Sequence, residues 1–369
     1  MHRRIAIFLF LLACSNCYGQ AESPTAKIEA ILSTLHEAGD FNGVVLAAEK
    51  GHVAYLKAFG DADLEGTPLE TDSVFRLASV SKAFTGMAIT MLRDEGKLSI
   101  KDDVRKHLNE FPYEGVTIRH LLHHTSGLPD YVSLLEEHWD VENKSKPQKR
   151  KIARSPDALR MLIKHKPKIQ FAPGEKHEYS NTGYITLGLI VQRVSGKPFG
   201  QFLHERIFEP LEMKNTVLFN PKSPPEISKQ VIGFRKIGTG KAKNDENFLN
   251  GMFGDGEVYS TVEDMLKWDQ ALYTDQLVSK KSINEILTPG KTNDEKSCNY
   301  GYGWGIAKKY DHRVASHGGG WVGFRTWLER DLDANRTLII LTNNTSSKLG
   351  QLKKQLQPIV FQSGKLLKQ

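Results

Sequence analysis

Residues 75–86 read FRLASVSKAFTG, and within them Ser79 and Lys82 lie three positions apart. On a helix this spacing places two side chains on one face, about one turn from each other. A neutral amine in that position can take the proton of the hydroxyl and make it a nucleophile. The apolar run at 87–92 predicts a buried helix, and burial disfavours the charged form of an amine. The same spacing also occurs on solvated helix faces. The other motifs of the chain therefore have to distinguish a catalytic serine–lysine pair from an ordinary helix surface.

Length and composition indicate an ordinary globular protein. The 369 residues suffice for one large domain or two closely packed ones, and 39% of them are hydrophobic and 25% charged. The net charge is +7, with lysines and arginines scattered along the chain apart from one cluster at 144–154. No nucleic-acid-binding motif accompanies this mild basicity, and we expect no nucleic-acid partner.

Residues 1–19 have the organisation of a secretory signal peptide. Two arginines precede an apolar run at 5–13 that is too short to span a bilayer, and cleavage is predicted after Gly19. As an alternative, the Leu-Leu-Ala-Cys sequence ending at Cys14 resembles a lipoprotein box, which would place a lipid anchor on that cysteine. Cleavage after Gly19 predicts a periplasmic or secreted protein. Lipidation of Cys14 predicts a membrane lipoprotein as the alternative. The mature chain would keep only Cys298 and therefore no intramolecular disulfide.

Strand patterns stand at both ends of the chain, and helical patterns lie between them. A helix is predicted at 26–38 and a β-hairpin at 43–57, with glycine in its turn. The C-terminal predictions are strands at 301–308, 313–317, 323–330 and 337–343 and a helix at 347–361. We therefore expect one α+β domain over 26–362, with an antiparallel sheet shared by the two ends and flanked by helices. A mainly helical lobe, about 101–273, would be inserted between the sheet-forming ends.

Two further motifs contain groups suited to catalysis. Tyr179 and Asn181 lie two positions apart in a loop ahead of a helix predicted at 185–195. A phenol can transfer a proton, and an amide can both donate and accept hydrogen bonds to a substrate. His317 begins a His-Gly-Gly-Gly sequence at the end of a predicted strand. Such glycines let the backbone approach a ligand and can expose an N–H to an oxyanion, although each motif alone also fits an ordinary loop or bulge.

His120 and His124 have the spacing of zinc ligands on a helix. No glutamate follows His120 to act as a base, and Gly127 and Pro129 would end the helix just beyond. We therefore predict neither a metal site nor a cofactor.

Taken together, the three motifs resemble the class C-like branch of the serine β-lactamase and penicillin-binding protein superfamily. Segments 122–128 (LHHTSGL) and 256–265 (GEVYSTVEDM) also resemble segments of that family. The resemblance covers about 28–344 and implies a β-lactamase/transpeptidase-like fold. It further implies a serine hydrolase that works through an acyl-enzyme, as in the carboxypeptidases, D-aminopeptidases and esterases of this branch, and the N-terminal pattern adds the prediction that this hydrolase is exported.

The resemblance also assigns catalytic roles to the motif residues. Ser79 would be the acylated nucleophile and Lys82 its base or proton relay. Tyr179 would be the phenolic partner, acting on the water that deacylates the enzyme, and Asn181 would hold the substrate amide. The backbone N–H groups of Ser79 and Gly320 would form the oxyanion hole.

His317, Gly319 and Gly320 would bind substrate, with His317 facing the substrate carboxylate or the Tyr179 oxygen. His317 stands where the family pattern has a lysine, and a histidine is mostly neutral near pH 7. This departure weakens the case for an efficient β-lactamase. The partner would be a small-molecule or peptidoglycan-type substrate, and D-Ala-D-Ala-type peptides, D-amino-acid amides and carboxylic esters stay open. The alternatives are a β-lactamase and a slowly deacylating penicillin-binding sensor or scaffold.

Overall fold

The computed structural model describes residues 22–144, 146, 149–238, 240–345, 347–364 and 366–367. The predicted signal peptide (1–19) and the lipid site at Cys14 lie outside these described residues. None of the helices within the described ranges combines the length and apolar character that crossing a membrane requires.

Helices and strands alternate in blocks along the chain. The helices are α1 (Pro24–Glu37), α2 (Lys82–Asp94), α3 (Ile118–Leu122), α4 (Tyr131–Asn143), α5 (Ser155–His165), α6 (Asn181–Ser195), α7 (Phe199–Leu203), α8 (Val262–Ala271), α9 (Lys280–Ile286) and α10 (Leu349–Gln362). The strands are β1 (Gly43–Glu49), β2 (His52–Phe59), β3 (Phe75–Arg76), β4 (Val217–Leu218), β5 (Phe234–Ile237), β6 (Gly240–Lys243), β7 (Val258–Ser260), β8 (Gly305–Lys309), β9 (His312–Trp321), β10 (Phe324–Asp331) and β11 (Arg336–Thr342).

A six-stranded antiparallel sheet joins the two ends of the chain. Its strand order is β2–β1–β11–β10–β9–β8, and β1 pairs with β11 so that Val45 lies opposite Ile340. This pairing explains why β1 and β11 are almost continuously apolar, since central strands with both faces covered need no polar side. The predicted α+β fold, with both ends in one sheet flanked by helices, is confirmed.

Helices cover the two faces of this sheet. Val45 and Ile340 point toward α1 and α10, whereas Val44 and Leu341 point into the larger core that contains α2. The alternation follows from the two-residue period of a strand. Because α2 is buried along nearly its whole length, its first turn is held rigidly between the sheet and the helices of the middle segment.

Short strands that the sequence analysis did not predict lie between the two sheet-forming ends of the chain. β3, β7 and β4 form a three-stranded sheet, and β5 and β6 form a hairpin. Strands of two to four residues contain too few positions to show a two-residue period. The three-stranded sheet nonetheless matters for the site, because β3 leads directly into the Ser79 turn and β7 pairs with β3.

Candidate active site

Ser79 lies in a single 3₁₀ turn, Ala78–Ser81, and α2 begins immediately afterwards at Lys82. In a 3₁₀ turn the side chains at positions i and i+3 eclipse each other, so Ser79 and Lys82 are aligned more directly than on an α-helix. Ala78 has a φ of +49°, a left-handed conformation that costs energy in a residue with a Cβ atom. Backbone strain of this kind accumulates at functional sites.

Lys82 is fully buried and binds three oxygen atoms. Its Nζ donates to Ser79 Oγ at 3.0 Å, to Asn181 Oδ1 at 2.8 Å and to the carbonyl oxygen of Asp255 at 3.0 Å. Three acceptors match the three N–H groups of a lysine ammonium. The structure thus brings together Ser79, Lys82 and Asn181, which lie in different motifs of the sequence.

Two tyrosine rings lie close to the Lys82 amine. Nζ is 5.0 Å from the ring centroid of Tyr179 and 5.7 Å from that of Tyr184, within the range of cation–π attraction. The Tyr179 side chain is 45% exposed, so its phenol is accessible to a substrate or to water. Tyr179 therefore lies at the mouth of the site, whereas Lys82 lies at its base.

His124 holds the Tyr179 loop in place. Its Nδ1 accepts the backbone N–H of Ser180 at 3.1 Å, and its carbonyl oxygen accepts the N–H of Glu178 at 2.8 Å. Its ring packs against that of Tyr179 with 4.2 Å between the centroids. Burial and the charge of Lys82 hold the pKa of His124 well below its usual value, so it is a neutral acceptor.

The His120 and His124 pair, weighed in the sequence as a zinc motif, serves the backbone instead. His120 accepts the N–H of Thr117 at the start of α3 and thereby caps that helix. Within the ranges that the structure describes, no group of three or more His, Cys, Asp or Glu side chains could hold a metal ion. The positioning role of His124 was not predicted, because nothing in the local sequence indicates its contact with residues more than 50 positions away.

Both ring nitrogens of His317 are engaged by neighbouring groups. Nδ1 lies 2.7 Å from the carbonyl oxygen of Gly318, and Nε2 lies 2.8 Å from the hydroxyl of Tyr300. Burial and the charge of Lys82 lower the pKa of His317 to about 3. The expected contact with the Tyr179 oxygen is replaced by the one with Tyr300, and the two rings of Tyr179 and His317 are 6.2 Å apart. His317 is therefore a neutral group in this structure, with both ring nitrogens engaged.

The glycines after His317 bring β9 against the nucleophile turn. A Cβ atom on Gly319 would lie 2.2 Å from the carbonyl oxygen of Leu77 and 2.2 Å from Oγ1 of Thr326, so only glycine fits there. Thr326 also donates to that same carbonyl of Leu77 at 2.7 Å. Gly320, the next residue, lines one cavity together with Ser79, which places both backbone segments of the predicted oxyanion hole at the same opening.

Comparison with known proteins identifies the family of the chain. Residues 28–358 match the profile of the Beta-lactamase family. The chain belongs to the Beta-lactamase family. This confirms the resemblance drawn from the sequence motifs and places the chain among serine hydrolases of the β-lactamase fold.

Relatives of this Beta-lactamase family member include penicillin-binding proteins. The chain is 38% identical over 328 residues to penicillin-binding protein 4* of Bacillus subtilis, covering 86% of this chain and 71% of the relative. A penicillin-binding protein structure from Bacillus halodurans is similar with a TM-score of 0.76 and 29% identity, covering 89% and 98% of the two chains. A D-amino acid amidase structure from Ochrobactrum anthropi has the same fold, with a TM-score of 0.77 and 22% identity over 93% of this chain and 99% of that one.

The site of this Beta-lactamase family member also contains two acidic side chains that the sequence analysis did not single out. Asp255 and Glu257 both line the cavity beside Ser79. Burial raises the pKa of Asp255 to about 6 and that of Glu257 to about 7. Asp255 accepts the hydroxyl of Tyr131 at 2.9 Å. The family-like segment beginning at Gly256 was a signal for this region, but the burial of its acidic residues is a property of the folded chain.

Proposed function

We propose that this protein is a serine hydrolase that forms an acyl-enzyme on Ser79. Its substrates would be D-amino-acid amides, D-Ala-D-Ala-type peptides or carboxylic esters. The observation that supports this most directly is the position of Lys82, whose Nζ lies 3.0 Å from Ser79 Oγ while it also binds Asn181 at 2.8 Å. Membership in the Beta-lactamase family supports the same chemistry.

In the proposed acylation step, Ser79 Oγ attacks the carbonyl carbon of the substrate. This step requires the deprotonated amine of Lys82, which takes the hydroxyl proton as the new C–O bond forms, and the carbonyl oxygen becomes an oxyanion. The backbone N–H groups of Ser79 and Gly320 would donate to this oxyanion. Collapse of the intermediate breaks the bond to the leaving group, which receives a proton from Lys82 directly or through Tyr179.

Deacylation would use a water molecule at the exposed side of the site. Tyr179 is the candidate to relay a proton from this water: its phenolic oxygen takes the water proton as its own proton passes to Lys82, because its phenol is accessible and its ring borders Lys82. The water oxygen bonds to the acyl carbon, the ester bond to Ser79 breaks, and the proton returns to Ser79 Oγ. Asn181, which binds Lys82, would also present its amide to the acyl group.

The environment of His317 favours amides and esters over substrates that need a cation at this position. Its pKa of about 3 keeps the imidazole neutral, and Tyr300 and Gly318 engage its two ring nitrogens. None of the described residues that line the cavity beside Ser79 is a lysine or an arginine. β-Lactam hydrolysis and slow, sensor-like deacylation are the alternatives, since both share the acylation step.

The test is an intact-mass time course beside a hydrolysis assay, on the wild type and on Ser79→Ala. The substrates are benzylpenicillin, p-nitrophenyl acetate and D-alanine p-nitroanilide. We expect repeated turnover of the ester or the anilide by the wild type, and neither turnover nor adduct in Ser79→Ala. Release of one equivalent followed by a stall would favour the sensor, and rapid loss of benzylpenicillin would favour the β-lactamase. Unchanged hydrolysis by Ser79→Ala would overturn the proposal.

We further propose that the protein is exported, either by cleavage after Gly19 or by lipidation of Cys14. The support is the basic and apolar pattern of residues 1–19. Expression in a bacterial host followed by mass analysis of the mature N-terminus tests this. A chain starting at Gln20 indicates simple cleavage, a lipid-bearing Cys14 indicates an anchor, and an intact N-terminus in the cytoplasmic fraction would contradict export.

A further inference from the structure

The cavity beside Ser79 is small and acidic. Its volume is about 60 Å³, and its lining includes Ser79, Asn181, Asp255, Glu257 and Gly320. One water molecule needs about 10–15 Å³ of cavity volume measured in this way, so the cavity accommodates a group of several non-hydrogen atoms. A carbon atom bearing an amino group fits within this space.

Glu257 is the side chain in this cavity whose bonding is incomplete. The residue is 4% exposed, and its Oε2 has no hydrogen-bond partner among the described residues. Buried polar atoms are nearly always hydrogen-bonded, so an unpaired carboxylate oxygen in a site requires an explanation. An unpaired acceptor beside a nucleophile is suited to a donor on the substrate.

The nearby arginine does not satisfy this carboxyl group. Arg76 Nη1 lies 3.6 Å from Glu257 Oε1, which gives charge attraction at a distance longer than a hydrogen bond. Arg76 uses Nη1 for Asn250 Oδ1 at 2.9 Å and Nε for the Tyr259 hydroxyl at 2.7 Å. Arg76 therefore offsets part of the charge of Glu257 and leaves its Oε2 atom without a donor.

The backbone fixes Glu257 relative to the nucleophile. Its φ is +72°, a left-handed conformation that costs energy in a glutamate and persists only when the surroundings impose it. The next residue, Val258, accepts the N–H of Leu77 at 2.8 Å and donates its own N–H to Ser81 Oγ at 3.2 Å. These bonds tie the Glu257 segment to both ends of the turn that contains Ser79.

We propose that Glu257 accepts a hydrogen bond from a primary amine of the substrate, so that the site selects small substrates with a free amino group near the scissile carbonyl. This inference rests on the proposed function and names a specificity residue for it. Amino-acid amides and esters with an unblocked amine belong to this class, and their N-acetylated analogues do not. The amine forms its hydrogen bond with the Oε2 atom that lacks a donor in the structure.

The charges around Glu257 predict how the preference changes with pH. Burial is the main cause that raises the pKa of Glu257 to about 7; Arg76 acts to lower it, and Asp255 and Asp245 act to raise it. Tyr259 and Tyr131 also lie in this electrostatic environment, and the pKa of each is raised, so both phenols stay neutral near pH 7. A protonated amine binds best to ionised Glu257, so the preference for amine substrates should rise as the pH increases toward about 7 and fall again above about 8, where an α-amino group loses its proton.

The experiment compares D-alanine p-nitroanilide with N-acetyl-D-alanine p-nitroanilide, and includes the corresponding L-alanine pair. We expect wild-type kcat/KM to favour the free amine by about 10-fold or more, the amount that one hydrogen bond to a charged group supplies. Glu257→Gln should reduce this ratio to near unity and remove its rise with pH. Taking the ratio cancels titrations of the catalytic groups, which act on both substrates alike. Glu263→Gln, an exposed glutamate in the same segment, is the matched control and should keep the wild-type ratio.

Folding of the variant is checked by its thermal midpoint and by labelling of Ser79 with a fluorophosphonate probe, followed by intact mass. A wild-type ratio of one or below overturns the inference, even where Glu257→Gln fails to fold. A ratio that persists in a labelled Glu257→Gln protein also overturns it. Ser79-dependent hydrolysis of p-nitrophenyl acetate, measured in parallel, distinguishes these results from failure of the proposed function, in which Ser79→Ala would match the wild type.

Discussion

The hydroxyl of Tyr300 lies 2.8 Å from Nε2 of His317 and determines how that histidine behaves. The carbonyl oxygen of Gly318, 2.7 Å from Nδ1, can only accept, so Nδ1 carries the proton and Nε2 accepts the proton of Tyr300. The imidazole is therefore satisfied in its neutral form. A position that the family pattern gives to a cation is occupied here by an uncharged group beside buried Lys82.

The first prediction concerns the pH dependence of stability. His317 has a pKa of about 3 in the folded protein and about 6.5 when unperturbed, so the unfolded chain binds more protons between these values. Its contribution to stability is complete above about pH 6.5 and is lost as the pH falls toward 3. Within this window, the slope contributed by one such histidine is about 1.4 kcal/mol per pH unit. Denaturant unfolding of wild type and His317→Gln between pH 4 and 6 should show slopes that differ by up to this amount.

The comparison of slopes isolates His317 from other buried groups. Asp255 and Glu257 have raised pKa values and titrate in the opposite sense, and His123, with a pKa lowered to about 4, titrates in the same sense. All three are present in both proteins and cancel in the difference. Parallel slopes would show that His317 is not held neutral by the fold.

The second prediction concerns the base. Lys82→Arg keeps a positive charge and hydrogen-bond donors, but a guanidinium does not release its proton and cannot act as a base. We expect kcat/KM for p-nitrophenyl acetate to fall by about 10²-fold to 10⁴-fold, the usual contribution of general acid–base catalysis. Lys101→Arg, at an exposed position, should not change the rate.

Lys82 is fully buried, so the larger arginine side chain also perturbs the packing around it. Lys82→Met, which is unbranched and uncharged, provides a second variant, and thermal unfolding shows whether each protein is folded. A folded Lys82→Arg protein with more than one tenth of wild-type activity would assign the base role to another group.

The third prediction concerns the close approach of β9 to the nucleophile turn. Gly319→Ala would place a Cβ atom 2.2 Å from the Leu77 carbonyl oxygen and from Thr326 Oγ1, and the strand would have to move. We expect a loss of about 1–3 kcal/mol in the free energy of unfolding together with loss of activity. Gly320→Ala is the neighbouring control for stability, because its Cβ would first meet the Arg325 side chain at 3.7 Å. Equal stability of the two variants would contradict this account.

The fourth prediction concerns the positioning of Tyr179. His124→Phe keeps a ring against Tyr179 but removes the acceptor for the Ser180 N–H. An unpaired buried N–H costs about 1–3 kcal/mol, and the loop should shift to solvate it. We expect kcat to fall about 10-fold or more while the protein remains folded.

His124→Asn serves as the conservative variant, because its side-chain oxygen can accept a hydrogen bond and asparagine tolerates a positive φ, which is +58° at this position. Partial recovery of kcat in His124→Asn relative to His124→Phe would distinguish loss of the acceptor from a general packing defect. The same kcat in both variants would assign the effect to packing.

Much of the fold was predictable because its signals are local. The apolar runs of β1 and β11 indicated strands, and their place at opposite ends of the chain indicated a shared sheet. The spacing of Ser79 and Lys82 indicated a nucleophile beside an amine. The 3₁₀ geometry of their turn was not predicted, because the local sequence does not distinguish a 3₁₀ turn from the first turn of the helix that follows.

The parts of the site that were missed depend on long-range contacts. Tyr300 reaches His317 from 17 positions away, and His124 reaches Ser180 from 56 positions away. Glu257 was not predicted as a site residue, since a glutamate is ordinarily solvated. Its raised pKa and its oxygen without a partner arise only after it is buried beside Arg76.

The sequence by itself determined the family, the α+β architecture and the motif residues, because apolar spacing and short motifs are local patterns that can be recognised without knowledge of the fold. The tertiary structure decided the electrostatics of the site. Whether His317 is a cation or a neutral acceptor, and whether Glu257 is solvated or buried, depends on desolvation by neighbours that are distant in the chain. Burial of this kind follows from the packed arrangement of the sheet and helices and has no signature within either segment.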